Sequence, residues 1–135
     1  MSKSFNAISK DALNAFISAG PYIIKETVKR SMERKDEVNQ HGEDAEQILT
    51  TGMEFTTRML ETAMSLGEIS ILEDELSWAR DRLPHDNVAL EHILERFQIY
   101  QEVLNEQIEP EYCQEINPFL DWMITRQKQI INGLK

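Results

Sequence analysis

GEISILEDELSWARDRLP, residues 67–84, is the stretch on which the fold reading turns. Leu72, Leu76, Ala79 and Leu83 recur at steps of four, three and four, so they stack on one side of an α-helix. Gly67 closes the helix before it, and Pro84 ends this one. Both neighbours read as long amphipathic helices, which makes this segment the expected central helix of a bundle. Its other faces carry Glu73, Asp74, Glu75, Trp78, Arg80 and Asp81, a concentration of surface chemistry in one place.

Outward toward the N-terminus, a long helix is expected from Glu43 to Leu66. Its acidic start, Glu43, Asp44 and Glu46, suits the positive end of the helix dipole. Ala45, Ile48, Leu49, Phe55, Met59, Leu60, Ala63 and Met64 hold a helical stripe along it. Gly52 interrupts that stripe, which suggests either a close helix approach, a pocket, or a tolerated glycine. Before it, Gly20-Pro21 reads as a break: a short helix capped by Ser9, then a second from Pro21 to about Val38. That second helix has Ile24, Val28 and Met32 along one side and Lys25, Lys29, Arg30, Arg34 and Lys35 on the outside. Residues 1–8 read as a flexible lead and 9–135 as a single helical domain.

Toward the C-terminus, Asp86 or Asn87 is expected to cap a helix from Val88 to Ile108. Its inward residues are Leu90, Ile93, Leu94, Phe97, Leu104 and Ile108, with Tyr100 or Gln101 filling the gap. Pro110 opens a short helical turn, and Asn117-Pro118 reads as the cap and first residue of the last helix. No stretch alternates at period two for long enough to make a strand. The expectation is an all-α domain of about five helices, in bundle or globin-like packing.

A length of 135 residues allows one real core, and 41% apolar with 28% charged residues is ordinary for a globular chain. No apolar run approaches the roughly 20 residues needed to cross a bilayer. No hydrophobic signal core opens the chain, and a single cysteine, Cys113, suits a reducing compartment. The expected location is cytoplasmic, away from membranes. The net charge of −10 is uneven: residues 1–35 hold seven basic and three acidic side chains, whereas residues 36–121 hold four basic and twenty-one acidic. An acidic body argues against nucleic acid as a partner. It suits either plain solubility or docking of a basic protein.

Several chemistries lack their residues. Five scattered glycines make no phosphate loop. None of His41, His85 and His92 follows a glutamate by three, as a di-iron bundle requires. Cys113 has no histidine near it in sequence and reads as buried filler. A hydrolytic enzyme has no motif behind it. Three features are left. Trp78 lies off the apolar stripe, so it packs on the next helix or walls a ligand or partner site. His85 and His92, seven apart, are surface histidines or, if on one helix, a haem or metal ligand pair or a pH-sensitive contact. Trp122 reads as core or interface.

Residues 20–125 resemble an all-helical domain of bacterial signalling proteins that in many of them precedes a cobalamin-binding domain. The resemblance is carried by Glu43-Asp44, Leu66-Gly67, Leu76-Ser77-Trp78-Ala79-Arg80 and Pro118-Phe119-Leu120-Asp121. It implies the sensor or regulatory half without the cobalamin domain, which 135 residues do not hold. A more distant similarity is to globin-like sensors, including phycobiliproteins, whose bilin cysteine precedes an Arg-Asp pair. Here Trp78-Ala79 precede Arg80-Asp81. Covalent bilin attachment there is excluded, while the resemblance leaves a non-covalent tetrapyrrole open. The expected function is a non-enzymatic regulatory, sensor or protein-interaction module, with a protein partner or a homodimer. Its recognition surface is expected at Glu75, Trp78, Arg80, Asp81, His85 and His92. The rival expectation is a carrier holding a tetrapyrrole between the helix of Trp78 and the next one.

Overall fold

A computed structural model describes residues 5–86 and 88–133, with the side chains of all of these except 36, 37 and 40. It is all-α. The elements are α1 (Lys10–Ser31), α2 (Lys35–His41), α3 (Ala45–Leu66), α4 (Ser70–Arg82), α5 (Leu90–Gln107) and α6 (Pro110–Ile131). Single 3-10 turns, Gly42–Asp44 and Leu83–Asp86, join α2 to α3 and follow α4. Among the described residues no strand element forms. Five helices build the bundle, and α2 is a short addition beside α3.

The expected break at Gly20-Pro21 does not occur. α1 runs through Pro21 without interruption. An interior proline lacks its hydrogen bond and crowds the preceding turn, at about 3 kcal/mol. Burial of Phe16, Gly20, Ile23, Thr27 and Val28 offsets that. Ser9 does cap α1: its side chain accepts from the Ala12 N–H at 3.2 Å. The helix ends at Ser31, well before Val38, and α2 begins separately after Arg34.

The same correction applies to Asn117-Pro118. α6 is one helix from Pro110, which occupies its first position, and Pro118 lies inside it. Asn117 does not cap. Its amide donates to Asn105 at 3.0 Å and its carbonyl accepts from Gln101 at 3.1 Å, which fastens α6 to α5. Nor does Asp86 cap α5. The N-cap is Ala89, with no side-chain cap bond, and Asn87 lies outside the described residues.

Gly67 behaves as read, ending α3 in the left-handed region at φ 68°. Of the expected flexible lead, residues 1–4 lie outside the described residues, and residues 5–8 are held against the bundle. The Phe5 N–H donates to the Gly67 carbonyl at 3.1 Å and the Ile8 N–H to the Met64 carbonyl at 3.0 Å. The Phe5 ring meets Phe119 edge-on at 5.2 Å.

The largest correction concerns α4, which is peripheral. α6 packs against α1, α3, α4 and α5, whereas α4 packs against α3 and α6. The width of each apolar arc explains the difference. α6 buries Cys113, Ile116, Phe119, Leu120, Met123, Ile124, Gln127 and Ile130, an arc that meets neighbours on several sides. α4 buries only Leu72, Leu76 and Ala79, enough to lie on a bundle but not within one.

Candidate functional site

The side of α4 turned away from α3 and α6 is open: Asp74, Trp78, Asp81 and Arg82 are its exposed residues. Glu73 marks the flank that meets α6. Its carboxylate accepts from the Arg126 Nε–H at 3.0 Å on both oxygens, and the Arg126 side chain is only 11% exposed. Five residues further on, about 140° around the helix, stands Trp78. Its indole is 55% exposed. The expectation that such a tryptophan packs on the next helix is therefore not met. Glu75 and Arg82 share that flank at helical spacing. Glu75 is partly covered, and this loss of solvent raises its carboxyl pKa above the usual value. Arg82 donates to Asp86 at 3.1 Å.

Arg80 and Asp81 pair with each other. The Arg80 Nε–H donates to the Asp81 carboxylate at 3.0 Å, which raises the guanidinium pKa further. Both head groups are near solvent, so the pair contributes little to stability. Its service is to fix the direction of two charges at the end of α4.

The histidines do not meet as the shared-face expectation required. His85 is exposed in the 3-10 turn after α4, outside α5, whereas His92 is buried on α5. His92 is thus not part of an outer recognition surface. The slot expected between α4 and α5 for a flat ligand is also not formed by a packed pair, because α6 meets both helices. Among the described residues no three His, Cys, Asp or Glu side chains converge on a metal position. Cys113 is buried, donates to the Ile108 carbonyl at 3.3 Å, and has its thiol pKa raised by that burial. Trp122 is half-buried against the core.

A second exposed apolar feature lies on α3. Ile48, Phe55 and Leu66 recur at steps of seven and eleven and so form one stripe. All three are exposed, Leu66 at 63%. Helical periodicity places Ile48 and Phe55 on the apolar stripe but does not say which edge of a broad stripe is covered. The signal was the breadth itself: of the eight residues named for that stripe, Ala45, Leu49, Leu60, Ala63 and Met64 are buried.

Gly52 lies in this helix with open space where a Cβ would stand. That favours a tolerated glycine over a close approach or pocket. Clefts open elsewhere on the described surface. One lies between residues 5–8 and α6, and two lie between α1 and α3. Among the described residues, no helix is long and apolar enough to cross a membrane. No protein-family model matches the chain, and no curated protein matches it in sequence.

Proposed function

We propose that this chain is a non-enzymatic regulatory or sensor module that recognises a protein through the open side of α4. The observation that carries the reading is Trp78. A helix that buries three residues on one side presents a large aromatic at 55% exposure on another. Exposed tryptophan adds no core stability, and tryptophan and arginine are the residues most enriched among binding hot spots. Asp74, Asp81 and Arg82 are exposed on the same side of α4, and Glu75 borders it, so polar groups flank the indole; Arg80 lies about 200° away, on the Glu73 side, and reaches this face only through its pair with Asp81. The exposed α3 stripe of Ile48, Phe55 and Leu66 adds apolar area on the helix that α4 packs against. The resemblance to helical domains beside cobalamin-binding domains supports the same reading.

Signalling through such a module needs a bistable element. α4 fits that part because it packs chiefly on α3 and α6, with the Gly67 turn at one end and the Glu73–Arg126 ion pair tying its first turns to α6.

The test is native mass measurement of the protein isolated from its own host, wild type beside Trp78→Ala. The expected result is a stable protein partner on the wild type, lost from the variant at unchanged melting temperature. A large fall in melting temperature with the partner retained would make Trp78 ordinary packing. A visible absorption band on the purified protein, removed by His85→Ala or His92→Ala, would replace this reading with the tetrapyrrole carrier.

A further inference from the structure

Counted by apolar content alone, α1 turns an unexpected side inward. Its buried line is Phe16, Gly20, Ile23, Thr27 and Ser31, of which two carry hydroxyls and one has no side chain. Beside it runs a more apolar line, Ile17, Ile24, Val28 and Met32, at steps of seven, four and four. Ile17 is 46% exposed and Ile24 and Met32 are half-covered, whereas Val28 at 4% is buried in the core. This line is therefore partly open: Ile17 and the uncovered parts of Ile24 and Met32 remain at the surface beside the buried Val28.

That line forms one wall of a groove against α3. Two clefts make up the groove and share Pro21, Ile24 and Glu54, and the larger has a volume of about 610 Å³. From Ile17 to Met32 it extends about 22 Å at 1.5 Å per residue. α1 and α3 run antiparallel along it, since Ile17 shares a cleft with Glu61 and Met32 with Glu46. The two rims carry opposite charge. Lys25 and Lys29 stand on the α1 side; Glu46, Glu54 and Glu61 stand on the α3 side with one Arg58 among them.

We infer that this groove is the contact surface between two copies of this chain, related by a two-fold axis through the groove. Such an axis lays α1 of each copy over α3 of the other. The apolar lines then cover one another, and each lysine rim meets a glutamate rim, twice by symmetry. A partner presenting one sign of charge meets repulsion along one rim. The chain itself supplies both signs in the order required. This surface is separate from α4, so the two proposals stand or fall independently.

The experiment is sedimentation equilibrium on the full chain, wild type beside two charge-reversed variants, Lys25→Glu/Lys29→Glu and Glu54→Lys/Glu61→Lys. All four positions are at the surface or partly so, and circular dichroism checks that each variant folds. The wild type is expected to be a dimer whose dissociation constant weakens at least tenfold between about 0.05 M and about 1 M salt. Each variant alone is expected to dissociate at least tenfold more readily, because both its rims then share a sign. An equimolar mixture of the two variants is expected to restore a dimer containing one of each. A wild-type monomer at concentrations up to about 100 μM overturns the proposal. So do variants that dimerise as tightly as the wild type, or a mixture that stays monomeric.

Discussion

Replacing Gly67 by alanine tests whether residues 5–8 close the end of the bundle. The left-handed φ of 68° costs a non-glycine residue about 1 kcal/mol. The contacts add more. A Cβ at position 67 falls 2.4 Å from the Phe5 carbonyl oxygen and 2.7 Å from the Ala7 nitrogen, and both are backbone atoms that no rotamer moves aside. The 5–8 segment must therefore lift away. It then loses the Phe5-to-Gly67 and Ile8-to-Met64 hydrogen bonds, each worth about 0.5–1.5 kcal/mol. It also loses the edge-on contact of Phe5 with Phe119, worth about 0.5–1.5 kcal/mol. The expected cost of Gly67→Ala is about 3–5 kcal/mol in urea unfolding followed by circular dichroism. Gly67→Asn, which tolerates the left-handed region but carries the same Cβ, recovers less than about 1 kcal/mol of it. In a Phe5→Ala background, Gly67→Ala costs less than in the wild type, because part of its damage has already been done. A Gly67→Ala penalty of about 1 kcal/mol, unchanged by Phe5→Ala, would show that the segment does not pack on the α3–α4 turn.

Gly52→Ala, at an exposed mid-helix site with nothing near the new Cβ, should stabilise by about 0.5–1 kcal/mol in the same unfolding assay. Pro118→Ala should raise the melting temperature, since α6 already runs through this exposed position and regains a backbone donor, a gain of about 1–3 kcal/mol. Leu76→Ala should cost about 2–5 kcal/mol, because this side chain is buried between α4 and its support. For Glu75 the folded-state pKa lies above the ordinary 4.5, so the folded protein holds this proton more tightly than the unfolded chain. Wild-type stability is accordingly highest below pH 4.5 as far as this group is concerned, and is lost as pH rises through the folded value. Glu75→Gln should match the wild type in acid and melt higher at neutral pH; equal melting at both would remove the burial effect.

Fold class was legible because five segments repeat apolar residues at helical spacing and none alternates at period two. Boundaries at Gly67 and Ser9 were legible as well, since a left-handed cap and a hydroxyl cap are local chemistry. Pro21 and Pro118 misled for the opposite reason. Proline's local cost is real, but tertiary burial along α1 and α6 outweighs it, and that burial is not written at the proline. The rank of helices within the bundle was equally non-local. Leu72, Leu76 and Ala79 announce a buried side, yet only comparison with the broader arc of α6 shows which helix is surrounded. Glu75, Trp78, Arg80, Asp81 and His85 do lie on or just after one helix, as their spacing implied, with Arg80 on the opposite side from Trp78. His92 lies apart from them, because the seven-residue spacing to His85 crosses a change of element and its own face of α5 turns inward. The α1–α3 groove was hidden by a fair assumption, that a helix buries its most apolar line.

The claim on which the functional account turns is that Trp78 is open in the free protein and covered in its complex. Trp122→Phe leaves Trp78 as the only indole in the chain. Iodide quenching of that fluorescence is expected to be strong for the free protein and suppressed at least severalfold for the complex isolated from host cells. An indole shielded in the free protein, or quenched equally in both, would contradict the account.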